Sequence, residues 1–289
     1  MENTNADLQD NKRSHTLVGW ILLAGLFGLR IPFLTAAAIL GKGLWADPIY
    51  QIGTYLLTGT LIYWERRRLA DFNIDFLALL AIILCKPIQT IILGVWKTQN
   101  NTLAFPKWPG LIIWIISFAI FITFWWSRAS LPRFKWRSIC WMMIGFLVGF
   151  LTIVLLAYPS SLEVRQEFPL PTSILSSSMK RIPQDAIYQL GYAAVSEEPF
   201  FRGFLWGYLA KAKWKGKWIW LFQALLFTFG HLYYVNEYPI SFWIIIPVCA
   251  LVLGGLVWRS KTISSSIAAH GIINALLRFS GMIVAYFNS

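Results

Sequence analysis

Charge is scarce in this chain. Asp, Glu, Lys and Arg make up only 13% of its 289 residues, about half of what a soluble domain carries. Hydrophobic residues make up 57%, and the mean hydropathy is +0.58. Together these values exclude a soluble globule with a large core. Cysteine occurs three times, as Cys85, Cys140 and Cys249, always in apolar stretches and never with metal or redox spacing. Neither a disulfide framework nor thiol catalysis is expected. Histidine also occurs only three times, and no His-Glu-x-x-His is present, so the common zinc-protease signature is missing. The first fifteen residues lack a short apolar core followed by a small-residue cleavage site, so no removable signal peptide is expected.

Long apolar stretches are abundant. A membrane helix needs about 20 mostly apolar residues. Nine candidate stretches fall at about 16–40, 46–64, 74–96, 109–126, 138–158, 183–209, 218–236, 239–258 and 262–287. The sixth is the least apolar, and hydropathy alone would pass over it. The sixteen Trp and eleven Tyr suit interfacial belts. The reading is an all-α, polytopic transmembrane helical bundle of about eight to nine spans. Residues 1–15 read as a disordered cytoplasmic tail and 16–158 as N-terminal membrane helices. Residues 159–182 read as a loop, because Pro159, Pro169, Pro171 and Ser176 to Ser178 are turn formers. The remainder, 183–289, carries the chemistry, with Pro183 expected in the first turn of its helix.

The net charge of +12 invites a nucleic-acid reading, but basic residues flanking membrane helices account for it. Arg66 to Arg68, Arg133 to Arg137 and the run Lys211, Lys213, Lys215, Lys217 all fall on the side shared with the N-terminus. That bias predicts a cytoplasmic N-terminus. It also makes lipid headgroups, not nucleic acid, the partners of these cations. An integral protein of a prokaryotic plasma membrane is expected. Arg30, Lys86 and Arg278 interrupt apolar stretches, and Arg30 and Arg278 are expected nearer the interfaces.

Six polar residues stand out in three groups near the C-terminus. The first is Glu197, Glu198 and Arg202; the second is His231; the third is His270 and Asn274. Ionisable side chains in a bilayer are costly and mark functional sites. Glu198 and Arg202 are four apart, share a helix face and can pair. Glu197 points elsewhere, without a partner on its own helix, and is available as a base. Pro199 removes a backbone hydrogen bond beside it. His231 shares a face with Phe227. His270 and Asn274 lie one turn apart, and an imidazole and a carboxamide are suitable donors to a developing oxyanion. Ala268, Ala269, Gly271 and Ala275 allow close helix packing around them.

Glu-Glu-x-x-x-Arg, Phe-x-x-x-His and His-x-x-x-Asn, in this order and within membrane helices, resemble the three motifs of the CPBP family. These are the CAAX-protease and bacteriocin-processing proteins, also called ABI or Rce1-like. The resemblance covers about 183–287. It implies an intramembrane endopeptidase acting on a membrane-associated, lipidated or secreted peptide. It also implies that Glu197 and His231 activate a water, with Glu197 as general base. His270 and Asn274 would then stabilise the oxyanion, and Glu198 and Arg202 would orient the site. No cofactor is expected. The zinc alternative would use Glu197, His231 and His270 as its three ligands. Two other functions compete with the peptidase: a membrane scaffold or bacteriocin-immunity protein using the site as a groove, and a transporter using the polar groups as an ion path.

Overall fold

The computed structural model describes residues 3–41, 45–97, 108–127, 131–165 and 172–287. Among them the chain forms nine helical rods and no strand. We number them α1 (3–39), α2 (Ala46–Trp64), α3 (Phe76–Lys97), α4 (Gly110–Trp126), α5 (Trp136–Arg165), α6 (172–211), α7 (Gly216–Phe229), α8 (241–260) and α9 (Ile263–Phe287). Each expected apolar stretch therefore corresponds to one rod. Four are long and apolar enough to cross a membrane: the part of α1 from Ser14 to Ile39, and α5, α8 and α9. α6, which carries the Glu-Glu motif, is not among them.

Three boundaries differ from the sequence reading. First, helix begins at Asn3, where a disordered tail was expected. No glycine or proline between Asn3 and Thr16 stops the first apolar helix from extending backwards. Second, the expected loop 159–182 is largely helical. α5 continues through Pro159 to Arg165, and α6 starts at Thr172, so Pro183 is interior and not in the first turn. Membrane helices tolerate proline because neighbouring groups satisfy the freed carbonyl. The residues between them, 166–171, lie outside the described residues. Third, α7 stops at Phe229, although 218–236 was read as one span.

Proline also explains departures from α-geometry. Pro32 lies within a π-turn at Leu29–Phe33 in α1. Pro199 opens another at Pro199–Leu205 in α6, directly after a π-turn at Ala193–Glu197. A proline has no N–H and clashes with the carbonyl four residues back. The i to i+5 pattern absorbs that defect by adding one residue to the turn. These turns set the direction of Arg30 and of Glu197.

α5 packs along α9. The contact depends on Gly145 and Gly149, four apart on α5. A Cβ on Gly145 would lie 2.1 Å from the Ser265 carbonyl oxygen, and one on Gly149 would lie 2.4 Å from Ile272 Cγ2 and 2.9 Å from the Ala269 carbonyl oxygen. Small residues at this spacing let two membrane helices meet backbone to backbone. The crossing fixes the segment of α9 that holds His270 and Asn274.

Below the site, Phe72, Phe200, Phe201 and Phe204 form a buried aromatic core. Asn73 ends the short turn Leu69–Phe72 with a left-handed φ of 55°, a conformation asparagine accepts. Its amide donates to the Arg202 carbonyl at 3.1 Å, and its own carbonyl accepts from Ile263 N–H at 2.8 Å. One residue thereby ties α6 to the start of α9. At the end of α6, buried Glu65 accepts from the Tyr208 hydroxyl at 2.7 Å and pairs with Arg68 at 3.0 Å.

Candidate active site

The three sequence groups converge. A cavity of about 890 Å³ is lined by Glu197, His231, His270 and Asn274 together. Glu198 and Arg202 are fully buried and do not line it; they stand behind its wall.

Glu198 Oε1 accepts from Arg202 Nη1 at 3.1 Å, as the four-residue spacing predicts. The same oxygen lies 2.7 Å from His270 Nδ1. A carboxylate can only accept, so the Nδ1–H of His270 donates. His270 Nε2 lies 3.3 Å from Glu197 Oε2. The imidazole thus bridges the adjacent carboxylates. Donation from Nε2 as well, toward a substrate oxygen, requires a second ring proton.

Glu197 also has an ion-pair partner, and it comes from another helix. Its Oε1 is 2.5 Å from Arg30 Nη2. Arg30 belongs to α1 and is only 1% exposed. It was expected near an interface; instead it lies deep in the bundle, where both of its terminal nitrogens meet buried partners. Nη2 also lies 2.8 Å from His231 Nε2, and Nη1 donates to the Tyr50 hydroxyl at 2.9 Å and the Tyr192 hydroxyl at 2.8 Å. A charged guanidinium in a low-dielectric interior is tolerated when paired and hydrogen-bonded in this way. Two carboxylates and two guanidiniums then balance in two buried ion pairs. The second oxygen of each carboxylate makes no hydrogen bond within the protein, and of the two glutamates only Glu197 reaches the cavity.

His231 lies just past the end of α7, with φ −116° and ψ 20°, outside the helix. Its Nδ1 is 2.8 Å from the Phe227 carbonyl, so Nδ1 carries the proton. Nε2 is then the acceptor, and it faces Arg30 and, at 3.8 Å, Glu197 Oε1. The shared face of Phe227 and His231 was legible in the sequence, whereas the helix end between them was not. Asn274 is on the cavity side of α9, and its amide donates to Gln189 Oε1 at 3.2 Å. Gln189 and the tyrosines Tyr50, Tyr188, Tyr192, Tyr233 and Tyr234 complete the polar lining. Sequence reading missed these residues, since tyrosine is also common at membrane interfaces. Arg278 lines the same cavity, and Lys86 places its Nζ 5.3 Å from the Tyr188 ring centroid.

The family model described as type II CAAX prenyl endopeptidase Rce1-like matches residues 183–276. Over that segment the chain is similar to the Rce1-like family. The match contains all three sequence groups, with Glu197, Glu198, Arg202, His231, His270 and Asn274 inside it. Rce1-like proteins are a protease family, and the long apolar helices mark this chain as an integral membrane protein. Comparison with curated proteins and with solved structures gives no match. Arg30 and Tyr50 fall outside the matched Rce1-like segment, although both touch its site.

Proposed function

We propose that the cavity hydrolyses a peptide bond within the membrane, on a membrane-associated, lipidated or secreted peptide, with Glu197 as the general base. The observation that carries this reading is Glu197 in the cavity lining beside His231, His270 and Asn274, with its buried Oε2 unbonded and 3.3 Å from His270 Nε2. A water held there gives its proton to Glu197 and attacks the carbonyl carbon. Asn274 and, as the imidazolium with both ring nitrogens protonated, His270 donate to the resulting oxyanion, and Glu197 then returns the proton it took from water to the leaving amine. His231 flanks the carboxylate and shares the Arg30 guanidinium with it, while Glu198 and Arg202 fix His270 from behind. The charge distribution along the sequence supports a cytoplasmic N-terminus.

Zinc fits the site poorly. Among the described residues no group of three or more His, Cys, Asp or Glu side chains is set to hold a metal ion. Arg30 already brings a positive charge to Glu197 and His231, two of the three candidate ligands. Cleavage is expected to continue when a strong chelator is added to isolated membranes. Loss on chelation with recovery on added zinc would establish the metal reading instead.

The main test compares peptide termini in cells carrying the wild type or Glu197→Gln at matched expression. New termini present only with the wild type are expected. His231→Ala should remove them too, with the protein still inserted. Identical termini in both strains, with the phenotype retained by the variant, would point to a scaffold or immunity function.

A further inference from the structure

We propose that Arg30 is a positioning residue for the reaction, supplied to the Rce1-like site by the first helix. This rests on the peptidase reading above. The guanidinium is in contact with both Glu197 and His231. Nη2 lies between Glu197 Oε1 at 2.5 Å and His231 Nε2 at 2.8 Å, and the Tyr50 and Tyr192 hydroxyls hold Nη1. These partners come from α2, from α6 and from the turn after α7, so α1 joins three elements at a single planar fork.

The contact has two consequences for chemistry. Arg30 occupies Oε1 of Glu197, and this leaves Oε2, on the His270 side, as the oxygen without a hydrogen bond. It also satisfies the lone pair of His231 Nε2, whose ring is already fixed through Nδ1 to Phe227. A purely structural cation would need only the carboxylate. The bridge to the imidazole instead holds both side chains in register. A misplacement of about 1 Å at such a site can cost roughly a hundredfold in rate.

The partners of Arg30 line the cavity. When Arg30 is shortened to alanine, a free guanidinium ion can therefore reach the same atoms. Membranes are prepared from cells expressing wild type, Glu197→Gln, Arg30→Ala and Arg30→Lys at matched levels. Termini are quantified with millimolar guanidinium chloride and, as control, with tetramethylammonium chloride. The expected result is a loss of about a hundredfold of the Glu197-dependent termini in Arg30→Ala. Guanidinium, but not tetramethylammonium, should restore part of it. Arg30→Lys, a point charge without the fork, should retain an intermediate level.

Wild-type levels of cleavage in Arg30→Ala would overturn the proposal. So would a loss that neither guanidinium nor lysine restores, because that pattern belongs to a purely structural residue. If Arg30→Ala does not accumulate, Arg30→Lys decides: a drop of about tenfold at unchanged melting temperature supports the fork, and full cleavage refutes it. If wild-type membranes have no Glu197-dependent termini, the peptidase reading itself fails, which is distinct from a wild type that cleaves normally beside an unaffected Arg30→Ala.

Discussion

Glu197 and Glu198 are neighbours in sequence, yet they occupy two different kinds of site. Glu198 finds its guanidinium four residues along the same helix, at Arg202, and both are sealed from the cavity. Glu197 finds its own 167 residues away in sequence, at Arg30, and opens onto the cavity. One pair is local and enclosed; the other is long-range and faces the space where a substrate would lie. The contrast separates scaffolding from chemistry within two consecutive carboxylates, and each pair can be broken on its own.

The largest effect is expected at the cavity-facing member. Glu197→Gln should abolish cleavage while the protein still inserts, and normal turnover by this variant would sink the mechanism. Next comes the enclosed pair. Arg202→Met leaves Glu198 charged in a closed core and should cost about 3–5 kcal/mol of stability, visible as a lower melting temperature in detergent. Adding Glu198→Leu should recover much of that stability, since apolar residues often replace a buried pair without loss. If the double variant melts as low as the single one, the enclosed pair does more than scaffold.

Smaller effects sharpen the catalytic side. Asn274→Ala should lower the yield of Glu197-dependent termini by roughly 10²–10³, the usual cost of one oxyanion donor, without abolishing them. An unchanged yield would remove Asn274 from the oxyanion role. Tyr192→Phe deletes a hydroxyl that accepts from Arg30 at 2.8 Å. A hydrogen bond to a charged group is worth about 1.5–3 kcal/mol, so a loss of roughly tenfold or more is expected. The same variant should leave the chain's melting temperature less affected than Arg202→Met does.

The same contrast explains what the sequence made legible. Nine apolar stretches anticipated nine rods, because an 18 to 25 residue apolar run has few alternatives in a membrane. Spacing within a helix revealed Glu198 with Arg202 and His270 with Asn274, since i and i+4 share a face. Spacing cannot indicate which distant helix brings Arg30 to Glu197. Arg30 was visible only as an anomaly, a cation in an apolar run. The π-turns that aim it and Glu197 were signalled by Pro32 and Pro199, but their register was not. Pro159, read as a turn former, and Pro183, read as a first-turn residue, misled in the opposite direction: packed membrane helices continue through both.

The early end of α7 bears on the supply of the second reactant. Fourteen residues rise only about 21 Å, against a hydrocarbon core of about 30 Å. The backbone from Gly230 to Tyr238 runs through turns and a short 3-10 segment at Leu232–Tyr234, a form that within a bilayer is stable only beside protein or a wetted space. That segment exposes Asn236 and Glu237 and turns Tyr233, Tyr234 and Tyr238 toward the cavity. Hydrolysis consumes one water per bond cut, and lipid tails hold almost none. The segment after the shortened helix lines the cavity with His231 and tyrosines, so it borders the space where that water would be used.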